Sequence, residues 1–382
     1  MNIHFFDHNS SAAAEWPFYQ HVRQHLEPLQ VTVFADSVDL RYRRRLWLVI
    51  FGWPRLVLSA FLLAWRSVRC ASPATMIVVD DHLQIVPVVL FYGIRRVCLQ
   101  KQLPKIVYLG FIYTPRANRS ARKLRWLYFK GVLSCLDAVL VYSRREKQTY
   151  ETLFGRSKRR FECVHYGLGE HNSIKQYVNA RVELAVAAKD QNRTSSDNQP
   201  FIIVSGGRSS RDYPTLTHSI ERLGFDVDCR IVCDSHECFP PSLESRRVKV
   251  LRNCHGENYS RELTKASIVV LPLVNPEISA GQMVAMHALA AGKPVVITST
   301  PVTKEYFEDV SMVWFVEPND VAAMIAAIKE VRSLMLREPN TVFTEARQAF
   351  EDHFAIDRYA ERVCRALYQA LDPGCKANRS LD

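Results

Sequence analysis

Short β-rich runs alternate with helical stretches along nearly the whole chain, and this alternation restricts the fold more than any other feature. In the first half, residues 2–6, 31–35, 76–81, 105–111, 137–143 and 161–167 read as strands, with helical stretches near 17–27, 46–67, 84–92, 116–134 and 143–153 between them. The second half continues with strands at 201–207, 229–234, 248–252, 267–273, 294–299 and 314–317. Runs such as SIVVLPL (267–273) are apolar without alternation, as strands covered on both faces are. Strands joined by helices build parallel sheets sandwiched between helical layers. The expected fold is therefore α/β, with two doubly wound Rossmann-like domains facing a central cleft and ligands at the carboxyl ends of the strands. The expected division is an amino-terminal domain over 1–168, a linker over 169–200, a second domain over 201–350, and a carboxyl-terminal helix with tail over 351–382 that crosses back. A chain of 382 residues can bury two such cores.

Charge separates the halves. Residues 40–136 hold 17 Lys and Arg against two acids, Asp80 and Asp81, whereas the whole chain nets only +11. One-sided charge interleaved with Trp, Tyr and Phe points to an anionic surface, nucleic acid or membrane. No nucleic-acid-binding module accompanies it, so nucleic acid is not the expected partner. Residues 46–65 are apolar at 16 of 20 positions, but Pro54 and Arg55 at the centre argue against a bilayer span. Gly52, Arg55, Ser59 and Arg66 fall on one thin polar stripe, and Arg41, Arg43, Arg44 and Arg45 precede the helix. A helix lying in the membrane interface fits this pattern best, with a buried core helix and a true span as alternatives. The stretch 116–134 repeats the pairing of basic and aromatic residues. The expected location is cytoplasmic, peripheral on the inner face of the plasma membrane. The amino terminus lacks the build of a secretory signal, and the ten cysteines show no C-x-x-C. The spacing of Cys229, Cys233, His236 and Cys238 does not suit zinc, and no metal or cofactor is expected.

The second half carries the chemistry. The strand at 201 runs into Gly206-Gly207, followed by Arg208 and Arg211. Glycines admit a ligand close to the backbone, and two guanidiniums suit a diphosphate. Residues 270–296 read as strand, loop, helix, Gly stop and strand. Ser279 stands three before Gln282, the capping-box spacing, which predicts a helix beginning at Ala280. Ala280 and Gly281 leave its first N–H groups open to an anion, whereas a complete capping box would satisfy two of them internally.

The segment HALAAGKPVV (287–296) is similar to the E-A-M-A-x-G-x-P-V-V helix entry of GT-B glycosyltransferases, particularly bacterial family 4 of surface polysaccharide and glycolipid synthesis. VSGGRSSRDYPTL (204–216) and the stretch 250–273 resemble that family's glycine–arginine turn and base-holding region. The resemblance implies a transferase moving a sugar from a nucleotide-diphosphate donor to a lipid-linked or saccharide acceptor, retaining and without metal. It places Arg208, Arg211 and Gly207 at the diphosphate and the N–H groups of Ala280, Gly281 and Gln282 at the distal phosphate and sugar. The family's two glutamates, eight apart, fall on Ser279 and His287, and the second would meet the ribose.

Fixed positive groups at a leaving diphosphate stabilise the charge that develops as the sugar–phosphate bond breaks. On the acceptor side, Asp80, Asp81 and His82 follow a strand and are candidates for a base or orienter, with His8 after the first strand as another. Loop caps or salt bridges to neighbouring arginines explain the same residues without chemistry. A catalytically inactive relative that binds membrane or a partner is the alternative function, motivated by the two replaced glutamates. A nucleotide-sugar epimerase or hydrolase fits less well, because a soluble sugar substrate needs no basic, aromatic face.

Overall fold

The computed structural model describes residues 2–7, 15–35, 46–70, 72, 75–80, 85–91, 104–113, 118–155, 160–170, 172–187, 201–207, 210–233, 243–274 and 280–371. The chain divides into two units, Met1–Tyr166 with Ile356–Asp382, and Gly167–Ala355.

The first unit is built on β1 (Asn2–Asp7), β2 (Gln30–Ala35), β3 (Thr75–Val79), β4 (Lys105–Leu109), β5 (Ala138–Val141) and β6 (Arg160–Cys163). They pair in parallel in the order β2-β1-β3-β4-β5-β6. Helix α1 (Pro17–His25) covers one face, and α13 (Ile356–Leu371) packs beside it through Tyr359, Ala360 and Val363. Two long-range bonds hold α13 there: Lys105 Nζ donates to the Ala370 carbonyl (2.9 Å) and Arg362 Nε to that of His165 (3.0 Å). The other face carries α2 (Leu46–Cys70), α3 (85–91), α4 (Arg119–Ser134) and α5 (Arg144–Phe154), which share one core through Leu63, Ile85, Phe129 and Phe154.

Helix α2 turns one member of its polar stripe inward: Ser59 is buried with Ala60, Leu63, Ala64 and Ser67, while Leu58, Leu62 and Trp65 are 59, 49 and 48% exposed. Small residues let the helix approach the sheet closely, and Ser67 Oγ bonds the buried His4 Nδ1 at 3.0 Å, so the polar atoms are satisfied inside. Arg66 stays exposed, while the surroundings of Gly52 and Arg55, and all of Arg41 and Arg43–Arg45, lie outside what is described. Among the described residues, no helix is long and apolar enough to cross a membrane.

The second unit opens with α6 (Asn172–Ala187), followed by β7 (Phe201–Gly206), α7 (Tyr213–Glu221), β8 (Val227–Val232), β9 (Val248–Leu251), α8 (Glu257–Lys265) and β10 (Ile268–Leu271). It continues with α9 (Gln282–Ala290), β11 (Val295–Thr298), α10 (Pro301–Phe307), β12 (Val313–Val316), α11 (Val321–Arg337) and α12 (Pro339–His353). The sheet order is β12-β11-β10-β7-β8-β9, all parallel. Counted from β7, this is the 3-2-1-4-5-6 order of a Rossmann sheet, with its reversal between β7 and β10.

Residues 172–187 correct the expectation of a linker over 169–200. They form α6 because distant groups hold them: Glu257 accepts from the Asn172 and Ser173 N–H groups at 2.9 and 3.1 Å. Tyr177 receives Lys293 Nζ (2.9 Å) and Arg181 Nη1 (3.2 Å). Burial alone would raise the Tyr177 pKa, but these two cations outweigh it and lower it. Residues 188–200 lie outside the described residues.

Candidate functional site

The sheet order of the second unit puts its ligand crevice at the carboxyl ends of β7 and β10. The chain after β7 turns sharply at Gly207 (φ +110°), a left-handed conformation suited to glycine. Two interactions fix the turn. The Tyr213 hydroxyl donates to the Gly207 carbonyl, and Arg211 Nε donates to the Gly206 carbonyl at 2.8 Å. A Cβ at Gly207 would strike the Arg211 guanidinium, so Arg211 is folded directly over the turn. A Cβ at Gly206 would meet the Tyr259 hydroxyl at 2.5 Å, so that position is held to glycine from the other side.

Backbone bonds join this turn to the segment after β10: Asp212 N–H donates to Pro272 (3.1 Å) and Val274 N–H to Ser210 (3.2 Å). Thr298 at the end of β11 accepts from the Leu273 N–H at 2.8 Å and fixes the same segment. The loop ends are thus tied to three strands of the sheet. Rigid placement of this kind is what an anion site requires.

Helix α9 starts at this crevice, but not as the capping-box spacing predicts. It begins at Gln282, and its N-cap is Gly281 in the left-handed region (φ +89°) with no side-chain cap bond. Leu273 explains the choice of residue, since a Cβ at Gly281 would lie 3.2 Å from its Cδ1. With no side-chain cap among the described residues, the first N–H groups of α9 and the positive end of its dipole point into the crevice. Three further polar atoms are buried around it with no hydrogen-bond partner among the described residues: Ser205 Oγ, Tyr259 Oη and Gln282 Nε2. Burial raises the Tyr259 pKa despite the nearby Arg211 charge, so its hydroxyl stays protonated.

The structure brings Gly207, Arg211, Ala280, Gly281 and Gln282 to one crevice. His287 lies in the last turn of α9, about 7.5 Å along the axis from Gln282. Arg208 and Ser279 lie outside the described residues. On the first unit, Asp80 follows β3 beside the β1/β3 reversal of that sheet, whereas His8, Asp81 and His82 lie outside the described residues. Tyr213, Tyr259 and Thr298 are site residues that the sequence reading missed. Tyr213, two residues after Arg211, had a positional signal; Tyr259 and Thr298 had none.

Two parallel six-stranded sheets with surrounding helices, each Rossmann-like, give the chain the GT-B fold. Residues 211–333 match the family described as glycosyl transferases group 1, and the chain is a glycosyltransferase. No curated protein sequence matches it. Among solved structures it is similar to a sucrose-phosphate synthase from Thermosynechococcus elongatus, at 15% identity and TM-score 0.60, over 98% of this chain and 100% of that one. It is also similar to Anabaena HepE in complex with UDP-glucose, at 15% identity and TM-score 0.57, over 97% and 100% of the two chains. A Rickettsia africae glycosyltransferase aligns at 13% identity and TM-score 0.61, over 98% and 99%.

Proposed function

We infer that the chain transfers a sugar from a nucleoside-diphosphate donor to a saccharide or lipid-linked acceptor presented at an anionic membrane surface, with retention and without a metal. The observation that carries the donor half is the uncapped start of α9, which converges with Arg211 on the β7/β10 crevice. Such donors neutralise a leaving diphosphate from a pre-set position. Arg208 is assigned to the same phosphate group by its place in the sequence, and His287 to the ribose. HepE, whose complexes hold UDP and UDP-glucose, supports the donor class. Retention and metal independence follow from the resemblance to family 4.

The membrane half is supported by one face of the first unit. On α4, Leu124 and Leu127 are 71 and 50% exposed among the exposed Arg119, Arg122, Lys123 and Lys130. Helix α2, on the same side of the sheet, exposes Leu58, Leu62 and Trp65. Exposed apolar side chains within a basic field suit anionic head groups, and a cytoplasmic membrane face presents these. Asp80 is the acceptor-side group of this reading.

Calorimetric titration with UDP, GDP and ADP tests the donor half. One of them should bind, and Arg211→Ala should weaken it roughly ten- to a hundredfold, the value of a charge-assisted contact. If none binds, or if Arg211→Ala binds equally well, the donor assignment fails.

A further inference from the structure

Folded interiors leave few polar atoms without a partner, and each exception calls for an explanation. One exception lies against the backbone at the end of β7. Tyr259 stands in the first turn of α8, and its hydroxyl is buried with no hydrogen-bond partner among the described residues. Helix α8 packs on β7 and on α9. This packing lays the hydroxyl 2.5 Å from where a Cβ of Gly206 would stand. The next residue, Gly207, carries the Arg211 guanidinium in the same way. Two adjacent glycines thus hold a phenol and a guanidinium on one turn. Burial raises the phenol's pKa more than the Arg211 charge lowers it, so the hydroxyl is a neutral donor. A second buried donor without a partner among the described residues, Nε2 of Gln282, belongs to the first residue of α9, which is 7% exposed.

An unpaired buried hydroxyl destabilises the chain that carries it, and a phenylalanine ring would fill the same space without that cost. The Tyr259 hydroxyl is therefore explained by a bound partner rather than by packing. Its neighbours define the partner. A guanidinium, a phenol and the start of α9 are all donors, and the atom that accepts from such a group is an anionic oxygen with several lone pairs, as in a phosphate. A ribose hydroxyl or a base carbonyl can accept from the phenol but gains little from the guanidinium beside it. Arg211 is held over the turn through Nε, which donates to the Gly206 carbonyl at 2.8 Å. Rotation of this side chain onto a phosphate would leave the adjacent hydroxyl open to the same group.

We propose that Tyr259 is a phosphate ligand of this crevice, its hydroxyl donating to an oxygen of the donor diphosphate once Arg211 has turned from the Gly206 carbonyl onto that diphosphate. This role rests on the nucleoside-diphosphate reading above. Calorimetric titration of the full native chain and of Tyr259→Phe with UDP, GDP and ADP tests it, together with the nucleoside of whichever base binds. Tyr259→Phe should bind that diphosphate about tenfold or more weakly, the value of a hydrogen bond to a charged group. The nucleoside, followed by saturation-transfer NMR, should bind both chains alike. The free variant should melt about 2–4 °C higher, because it sheds an unpaired buried hydroxyl. A hydroxyl that served packing alone would do the reverse. Equal diphosphate binding by the two chains, equal weakening of nucleoside and diphosphate, or a lower melting temperature of the free variant would each overturn the assignment. If the native chain binds none of the diphosphates, the donor reading fails and takes this role with it. If it binds one and Tyr259→Phe binds it equally well, the role of Tyr259 alone fails.

Discussion

Removing the positive charge from α4 should detach the protein from anionic membranes without touching its fold. Arg119, Arg122, Lys123 and Lys130 are all exposed, and each basic residue near a negatively charged surface is worth about 1 kcal/mol. Changing the four to Gln removes about 4 kcal/mol, and because 1.4 kcal/mol is tenfold, partitioning should fall by about three orders of magnitude. Lys130 also lies over the Trp126 ring at 4.6 Å, a surface contact whose loss costs at most about 1 kcal/mol of stability. The apolar contribution separates from the charge. Leu124→Ser with Leu127→Ser removes roughly 3 kcal/mol of insertion if both side chains are fully buried in lipid. That part persists at high salt, whereas the charge part is screened over about 8 Å at physiological ionic strength. The assay is co-sedimentation with phosphatidylcholine vesicles, with and without phosphatidylserine, across a salt series. The Gln variant should lose both the preference for phosphatidylserine and the salt dependence; the Ser variant should bind more weakly at every salt concentration. Equal binding of the native protein to neutral and anionic vesicles, or binding to neither, would refute the argument and leave the exposed leucines as ordinary surface.

Two further outcomes follow from single positions. Gly281→Ala forces a side chain into the left-handed region at about 1–2 kcal/mol and presses on Leu273, so it should lower the melting temperature and weaken about tenfold whichever of UDP, GDP and ADP the native chain binds; native values for both would mean that α9 does not begin as described. His4 is buried and its pKa is lowered from 6.5 by desolvation, so the unfolded chain takes up the proton first. Stability from this residue is therefore full above pH 6.5 and is lost as pH falls below it towards the folded value. Urea unfolding at pH 7.5 and 5.5 (chosen to bracket about 6.5) should show a larger acid loss for the native chain than for His4→Gln, and parallel losses would exclude His4 as the cause.

The strand–helix alternation was enough to read two doubly wound parallel sheets, because each strand carries its own burial pattern, as Ile268–Leu271 does with four buried residues in sequence. The crevice was legible for a related reason: Gly207, Arg211 and Gly281 lie within a few residues of the strand and helix ends they serve. What escaped was set by partners distant in sequence. Helix α6 depends on Glu257 and Lys293, 85 and 116 residues away from the groups they hold, so its own residues gave little sign of it. Ser59 was placed on a polar stripe by helical periodicity, which does not say which side the sheet takes. The Ser279–Gln282 spacing met a local rule, yet α9 begins at Gln282 with Gly281 as its N-cap, against a Leu273 contact that exists only once β10 is in place. Tyr259 is the extreme case. It shares no sequence pattern with Gly206, and only the packing of α8 on β7 brings its hydroxyl to that turn.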